Sequence, residues 1–335
     1  MALLNEDGTQ LDALFTDTDP TRRVKGAQAP VLIVFSAKGG VGVSTIALAA
    51  AELAATVGEV KRVTLVDACP EFGNMRQVLR TPDRLPTVYT AAQRRDPRLA
   101  TIGPDRLNGG RPASVPAISF GAILAPGHGQ AGSSTPGDYV AAIREVRQVS
   151  DLVIVDAGAL PPALDSKMAD SMIVPMLRSA CWALVVANST LPGLRNAIEM
   201  VRNLGSADVP RDRTLSLVND VRTSVGAADA EKMAGALGAG TISAGWIEHD
   251  PKDIGDRMEL GTIPWDHPQV SVALSKVLLR VTGRPPFEPL AKATIDRKGR
   301  LHEAAPAPVG ASAAPVAATK PGARRLLPGR RSTGK

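Results

Sequence analysis

Residues 31–45 read VLIVFSAKGGVGVST, and this stretch decides the fold. Its first five residues form a continuous apolar run, which is typical of a buried parallel strand. The glycine-rich segment that follows leads into an alanine-rich run, residues 46–56, that favours a helix. A glycine loop between a strand and a helix lets backbone N–H groups converge on an anion, and the helix N-terminus adds partial positive charge. The sequence therefore predicts a phosphate-binding loop.

The bulk composition is that of a globular chain without a transmembrane segment. The 335 residues are 44% hydrophobic but only 3% aromatic, so we expect a core of Ala, Val, Leu and Ile. No apolar run reaches the ~18 residues that a transmembrane helix needs, and the N-terminus is acidic where a signal peptide would be basic. Neither Cys69 nor Cys181 has metal-ligand spacing, which fits a cytoplasmic protein. The scattered histidines are predicted to lie on the surface: His128, His249, His267 and His302.

The positive charge of the chain is concentrated at its C-terminal end. Residues 286–335 contain ten Lys/Arg and three Asp/Glu, so the rest of the chain sums to −1 of the net +6. This Pro/Ala-rich basic tail has no hydrophobic periodicity, and we predict that it is disordered. Residues 1–29 are predicted to be a flexible acidic leader, which leaves residues 30–285 as one domain built on the glycine loop.

Strands and helices are predicted to alternate through that domain. Further predicted strands cover residues 62–67, 117–125, 151–156, 182–187, 214–218 and 241–247. Further predicted helices cover residues 73–79, 139–149, 191–204, 227–237, 253–260 and 270–281. The alternation predicts an α/β fold, a mostly parallel sheet with helices on both faces. Residues 80–137 are mostly irregular and rich in Pro, Gly and Arg.

Two acidic residues end predicted apolar strands, Asp67 and Asp156. Active sites of parallel sheets lie beyond the carboxyl ends of the strands, where both acids would converge with Lys38. A buried carboxylate is unfavourable unless it is paired or binds a cation, so we favour Mg²⁺ there, with helix capping as the alternative. At the start of the helix, the Ser44 hydroxyl can ligate Mg²⁺ or act only as an N-cap, and Thr45 can contact a phosphate oxygen.

Lys38 to Thr45 resemble the deviant Walker A motif of the ParA/MinD family of P-loop ATPases, whose pattern is KGGxGK[ST][ST]. The resemblance extends over most of residues 30–285, which we therefore predict to be a P-loop ATPase-like domain. Three other segments resemble the switch segment, the Walker B strand and a late segment of that family: residues 65–74, 151–156 and 247–252. Within the family, residues 72–74 and 191–195 look most like the CpaE/TadZ branch, without the receiver-like domain that many of its members carry.

The resemblance implies ATP and Mg²⁺ as cofactors and assigns roles to residues of this chain. The implied catalytic residues are Lys38, Asp67 and Asp156. The implied Mg²⁺ ligands are Ser44, Asp67 and Asp156. The implied nucleotide-contacting residues are Gly39, Gly40, Val41, Gly42, Val43, Ser44, Thr45 and Asn219. The family uses an asparagine at the position of Asn219 to read adenine, and an ordinary turn asparagine is the competing interpretation. For Lys38 the competing interpretation is a solvated surface lysine.

Two residues depart from the family pattern. Val43 stands where the pattern has its second lysine, so a cation is missing beside the β- and γ-phosphates. A charge-assisted hydrogen bond contributes roughly 1.5–3 kcal/mol, so this loss weakens ATP binding by roughly 10- to 100-fold. Cys69 stands where the family has a second switch aspartate, and a thiol cannot replace a carboxylate in positioning water or metal. Glu71 is the nearest possible substitute. We therefore predict slow or absent ATP hydrolysis.

Three functions remain open on these grounds. The CpaE/TadZ resemblance implies an ATP-dependent homodimer that positions pilus or secretion-system assembly proteins, in the cytoplasm or held at the pole or membrane periphery by its partners. A ParA-like DNA or plasmid partitioning ATPase would use the basic tail to bind DNA non-specifically. A degenerate homologue would bind no nucleotide.

Overall fold

The computed structural model describes residues 28–57, 60–69, 73, 75–130, 133–295 and 301–302, and an eight-stranded sheet forms its centre. The strands are β1 (Val31–Ser36), β2 (Val63–Asp67), β3 (Thr101–Ile102), β4 (Gly121–Ile123), β5 (Leu152–Ala159), β6 (Trp182–Asn188), β7 (Thr214–Val221) and β8 (Ile242–Glu248). Their order is β3-β4-β2-β5-β1-β6-β7-β8. Only the short β3 runs antiparallel to its neighbour in this sheet, β4, and the other pairs are parallel. The predicted mostly parallel α/β fold is confirmed.

Helices of the described chain lie between these strands and, in the case of the last three, follow β8. They are α1 (Val43–Thr56), α2 (Met75–Val78), α3 (Val88–Gln93), α4 (Pro104–Asn108), α5 (Pro136–Val146), α6 (Val174–Arg178), α7 (Leu191–Ser206), α8 (Ala227–Gly238), α9 (Asp256–Glu259), α10 (Pro268–Thr282) and α11 (Glu288–Lys292). The predicted helix at 253–260 is divided, because a π-helical turn, Pro251–Gly255, precedes α9. None of the described helices combines the length and apolar content that crossing a bilayer requires.

Alternate residues of the central strands pack into two hydrophobic layers. In β1, Val31, Ile33 and Phe35 point into the layer that contains α5, α7 and α8, whereas Leu32 and Val34 point into the layer that contains α1 and α10. All five side chains are at most 1% exposed. A strand buried on both faces must be apolar throughout, which is the pattern read from the sequence. Most of α1 is buried as well, because its alanines let it lie close to the sheet.

The folded chain extends beyond the predicted domain boundaries. Ala29 is buried, and its amide donates to the Arg147 carbonyl at 3.1 Å. The Arg147 guanidinium in turn donates to the Ala29 carbonyl. At the other end, Phe287 is 1% exposed and packs into the layer of α1 and α10, followed by α11. The predicted start of the tail at residue 286 is therefore too early. The buried Phe287 holds this segment against the fold, and no periodic pattern in the sequence indicates that burial. Residues 1–27 and 303–335 lie outside the described part, and the leader and tail predictions there stay predictions.

Candidate functional site

The glycine loop lies at the carboxyl end of β1 and opens outward. Gly40 and Gly42 have positive φ angles, 75° and 89°, a region that residues with a side chain rarely adopt. A Cβ atom added at Gly39 or Gly40 would meet no atom within 4 Å, so the outer side of the loop is free. Gly42 caps α1 without any side-chain hydrogen bond, which leaves the first N–H groups of the helix for another acceptor. The loop thus has the open, amide-rich form that an anion needs.

Two side chains turn carbonyl groups of this loop inward. The Ser36 hydroxyl donates to the Lys38 carbonyl at 2.8 Å, and the Asn219 Nδ2 donates to the Val41 carbonyl at 2.9 Å. Asn219 contacts the loop because β7, the strand that contains it, lies two strands from β1 in the sheet. Its amide nitrogen therefore already donates a hydrogen bond, and the side chain holds the backbone of the loop. The expected contact with adenine stays a prediction.

The two predicted acids are neighbours at the carboxyl ends of β2 and β5. Asp67 and Asp156 are register partners and are 2% and 1% exposed. Oδ1 of Asp67 accepts from the Cys69 amide at 3.2 Å, while its Oδ2 is buried without a hydrogen-bond partner among the described residues. Asp156 accepts from the Gly158 amide at 3.0 Å, and the Ser44 side chain lies near enough to lower its pKa. The structure thus places the two acids side by side at this edge of the sheet, with Ser44 beside Asp156.

Burial gives this acid pair an unusual protonation. Burial, together with the nearby Asp156 carboxylate, raises the pKa of Asp67 from 3.8 to about 8. Burial also raises the pKa of Asp156, although hydrogen bonds from Ser44 and Gly158 oppose the shift. Two buried carboxyl groups without a cation favour the neutral form, and a divalent cation beside them would reverse that preference. Oδ2 of Asp67 has no hydrogen-bond partner among the described residues, although the backbone groups of Met75 and Ala125 lie near enough to the carboxylate to lower its pKa, and this oxygen could ligate the cation.

Cys69 faces Asp156 as a neutral thiol. Its Sγ lies 3.8 Å from Asp156 Oδ1 and 3.7 Å from the Asp156 carbonyl oxygen. Burial and the two nearby carboxylates raise its pKa, so the thiol is not ionised at neutral pH. Gly158 has a positive φ of 62°, and a Cβ there would lie 2.5 Å from the Cys69 sulfur. Cys69 is therefore packed where a larger, charged side chain would need Gly158 and its strand to move.

Val43 is buried among hydrophobic side chains, whereas Lys38 is exposed to solvent. Val43 is 7% exposed and belongs to the hydrophobic layer of α1 and α10, so this position contributes packing where the family pattern has a cation. Lys38 is exposed at the tip of the loop. It is the nearest cation that the loop itself offers. Glu71, the possible substitute for the missing switch aspartate, lies outside the described residues.

The sequence pointed to the acids and the loop but missed the residues that position them. Ser36 and Gly158 carry no family signal that we used, although a glycine two residues after a strand-terminal aspartate can mark a positive φ. Asn219 was singled out for a base contact, and its bond to the loop crosses 178 residues of sequence. Contacts of that range depend on the strand order, which a single sequence does not give.

Asn219→Ala is expected to loosen the loop. Losing the bond to the Val41 carbonyl should lower the free energy of unfolding by ~1 kcal/mol, measured by urea denaturation. Asn203→Ala is the matched control, because Asn203 Nδ2 makes a 2.9 Å bond to the Pro162 carbonyl far along the chain from the loop. Both variants should lose similar stability, but only Asn219→Ala should weaken ATP binding. Equal ATP affinities in the two variants would contradict the positioning role.

The residues of this site include groups that suit the binding of Mg²⁺ and a polyphosphate, but two groups that the family pattern has are replaced. Four features suit a phosphate with its cation: the open glycines, the uncapped start of α1, the Ser44 hydroxyl and Asp67 Oδ2, which accepts no hydrogen bond from the residues that the structure describes. The buried Val43 and the thiol of Cys69 supply neither a cation for the phosphates nor a base for water. The site therefore has the groups for binding and lacks two that the resemblance associates with hydrolysis.

Comparison with solved structures finds the same fold in several proteins, two of which were solved with a bound nucleotide. The MinC:MinD cell division protein complex of Aquifex aeolicus matches at TM-score 0.56 and 20% identity, over 73% of this chain and 93% of that one. A complex of a Cyanothece McdA variant with ATP matches at TM-score 0.56 and 15% identity, over 76% and 97% of the two chains. MinD of Pyrococcus horikoshii with Mg-ADP matches at TM-score 0.55 and 16% identity, over 74% and 96%.

No family model matches this sequence, and no curated protein matches it either. Identities of 20% or less carry the fold and not the activity. The eight-stranded order, the glycine loop after β1 and the paired acids are features of this chain itself. The chain has the fold of the MinD and ParA P-loop ATPases.

Proposed function

We propose that this protein binds ATP with Mg²⁺ at the glycine loop, dimerises in that state and acts as a positioning scaffold with little or no hydrolysis. The observation that carries the proposal is the open loop beside the buried Asp67 Oδ2, which has no hydrogen-bond partner in the described part of the chain, together with the neutral residues at positions 43 and 69. Structural neighbours that carry Mg-ADP or ATP support the nucleotide part. Ser44, Asp67 and Asp156 would hold Mg²⁺, which when bound would supply positive charge beside the two acids.

Each residue of the site has a definite task in this proposal. The amides at the start of α1 bind the phosphate oxygens, and Asn219 holds the Val41 carbonyl away from them. Ser44 lies beside Asp156 and can turn its hydroxyl oxygen to the cation. Cys69 leaves attacking water without a carboxylate to orient it, so bound ATP persists. A long-lived nucleotide state is what a scaffold requires.

Dimerisation and the type of partner are the finer parts of the proposal. Lys38 is exposed at the loop, where it can reach a nucleotide on a second copy. Leu191, at the start of α7 in the segment that resembles the CpaE/TadZ branch, is 64% exposed and offers an apolar contact for a partner protein. Both features support an ATP-dependent homodimer that positions pilus or secretion-system assembly proteins.

Val43→Lys tests the account of hydrolysis and affinity. A lysine that extends from the start of α1 toward the phosphates should tighten ATP binding by roughly 10- to 100-fold. Lys38→Ala should weaken binding or dimerisation, and wild type should release phosphate slowly. Equilibrium dialysis measures ATP affinity, a phosphate-release assay measures hydrolysis, and sedimentation velocity measures dimerisation. Rapid phosphate release by wild type, or no binding at millimolar ATP with Mg²⁺, would refute the proposal.

DNA partitioning is the second candidate, because the C-terminal segment carries most of the positive charge. One structural neighbour is a putative plasmid partition protein of Borrelia burgdorferi bound to AMPPNP, at TM-score 0.52 and 12% identity. A polycation binds duplex DNA with a strong salt dependence. Deleting residues 303–335 should abolish salt-sensitive DNA binding if this candidate is right, and should leave ATP binding unchanged in either case.

A further inference from the structure

A histidine and two aspartates converge on one point after β8. Asp250 follows that strand, Asp253 lies in the π-helical turn Pro251–Gly255, and His267 caps the N-terminus of α10. His267 Nε2 lies 3.6 Å from Asp250 Oδ2 and 3.9 Å from Asp253 Oδ2. One ligand atom from each of the three residues lies within 4.8 Å of the others. None of these residues belongs to the glycine loop or its acid pair.

His267 is the buried member of the group. It is 9% exposed, and its Nδ1 is buried without a hydrogen-bond partner among the described residues. The prediction that His267 lies on the surface is therefore wrong, because the residue closes the end of α10 against the segment after β8. A buried polar ring that makes no hydrogen bond is unfavourable. Its Nε2 points at two carboxylate oxygens from just beyond hydrogen-bonding distance.

Each aspartate uses one oxygen for local structure and keeps the other for the group. Asp250 Oδ1 accepts from the Asp253 amide at 2.9 Å, which starts the π-helical turn. Asp253 Oδ1 lies 3.6 Å from Arg257 Nη1, and Arg257 also pairs with Asp266. Oδ2 of both aspartates faces His267. The backbone and Arg257 thus fix the two carboxylates with one free oxygen each toward the imidazole.

We propose that Asp250, Asp253 and His267 bind a first-row divalent transition-metal ion, with Zn²⁺ the preferred one. Zn²⁺ binds imidazole nitrogen and carboxylate oxygen at about 2.0–2.2 Å, which places tetrahedral ligand atoms about 3.3–3.6 Å apart. The distances of 3.6 and 3.9 Å from His267 need only a small contraction to reach that spacing, and the two carboxylate oxygens lie within 4.8 Å of each other. Mg²⁺ and Ca²⁺ prefer all-oxygen sites, so the imidazole selects against them. The fourth position is open to water.

The site connects the turn after β8 to the start of α10, two segments that Gln269 also joins through hydrogen bonds with the Glu248 amide and carboxylate. A bound ion would tie the turn after β8 to the start of α10, and it would stabilise the fold in proportion to its binding. His267 Nδ1 has no acceptor in the described part of the chain, whereas metal-binding histidines usually have one. The affinity should therefore be lower than in sites that orient their histidine.

The test uses the full chain, stripped of metal with a chelator and free of nucleotide. We expect one equivalent of Zn²⁺ by equilibrium dialysis, a visible absorption band with Co²⁺, and a higher melting temperature with Zn²⁺. His267→Gln and Asp253→Asn should each lower Zn²⁺ affinity at least ~10-fold and remove the Co²⁺ band. Asp256→Asn, which removes an exposed carboxylate from the adjacent α9, should bind Zn²⁺ as wild type does.

The competing arrangement is a His267 that only packs beside the two aspartates and binds no metal. Zn²⁺ affinity that is absent in wild type, or unchanged in Asp253→Asn, would establish that arrangement and overturn the metal site. Asp253 is about half exposed, so its replacement should not prevent folding even if His267→Gln does. Because the assay contains no ATP, the result is independent of the glycine loop.

Discussion

Asp67→Asn is expected to stabilise the nucleotide-free protein at pH 8 and to weaken its binding of Mg²⁺ and ATP. Burial and Asp156 raise the pKa of Asp67 from 3.8 to about 8. Between these values the folded chain keeps a proton that the unfolded chain has lost, so stability falls as the pH rises through this window and levels off above it. An amide at position 67 removes that loss, and its oxygen can still accept from the Cys69 amide.

The effect is large because the group is fully buried. At ~1.4 kcal/mol per pKa unit, the difference between variant and wild type should grow to a few kcal/mol near pH 8 and shrink toward pH 4. Urea denaturation of both proteins from pH 4 to pH 8, without Mg²⁺, measures it. Mg²⁺ with ATP should stabilise wild type more than the variant, since only wild type keeps the carboxylate. A difference that does not change with pH would refute the assigned protonation.

Asp105→Asn is the control for the loss of one formal charge. Asp105 is exposed in the first turn of α4, away from the acid pair. Its replacement should change the free energy of unfolding by no more than ~0.5 kcal/mol at any pH in this range. Equal pH-dependent gains in both variants would mean that overall charge, and not burial of Asp67, is responsible.

The sheet and the acid pair could be predicted because they rest on local patterns. A strand buried on both faces must be apolar along its whole length, and β1, β2 and β5 show this pattern in the sequence. An aspartate at the end of two such strands is conspicuous, and parallel strands bring those ends to the same edge. The position of the site therefore followed from the fold class alone.

Other features were missed because they depend on long-range contacts or weak signals. Short elements such as α3, β3 and α4 lie in the Pro- and Gly-rich region 80–137, where no period is long enough to be read. His267 looked like an isolated surface histidine, since Asp250 and Asp253 reach it only through the turn after β8. The burial of Val43 was equally invisible, because the family pattern directs attention to a missing cation and not to packing.

Gly42→Ala is expected to destroy the nucleotide site and to destabilise the fold. Gly42 has a φ of 89°, and holding alanine in the left-handed region costs roughly 1–2 kcal/mol. The new Cβ would lie 2.4 Å from Asn219 Nδ2, so Asn219 must move and lose its bond to the Val41 carbonyl. That loss adds roughly 1 kcal/mol, for a total of about 2–3 kcal/mol in urea denaturation.

Gly39→Ala separates the conformation of the loop from the mere addition of a methyl group. A Cβ at Gly39 meets no atom within 4 Å, and the residue has no positive φ, so this variant should lose no more than ~0.5 kcal/mol. The displaced Val41 carbonyl in Gly42→Ala would point its negative end into the anion site, so ATP affinity should fall at least ~10-fold there. Gly39→Ala should retain most of it. If both variants bind ATP equally well, the amides at the start of α1 do not hold the phosphate, and the nucleotide must bind elsewhere on this chain.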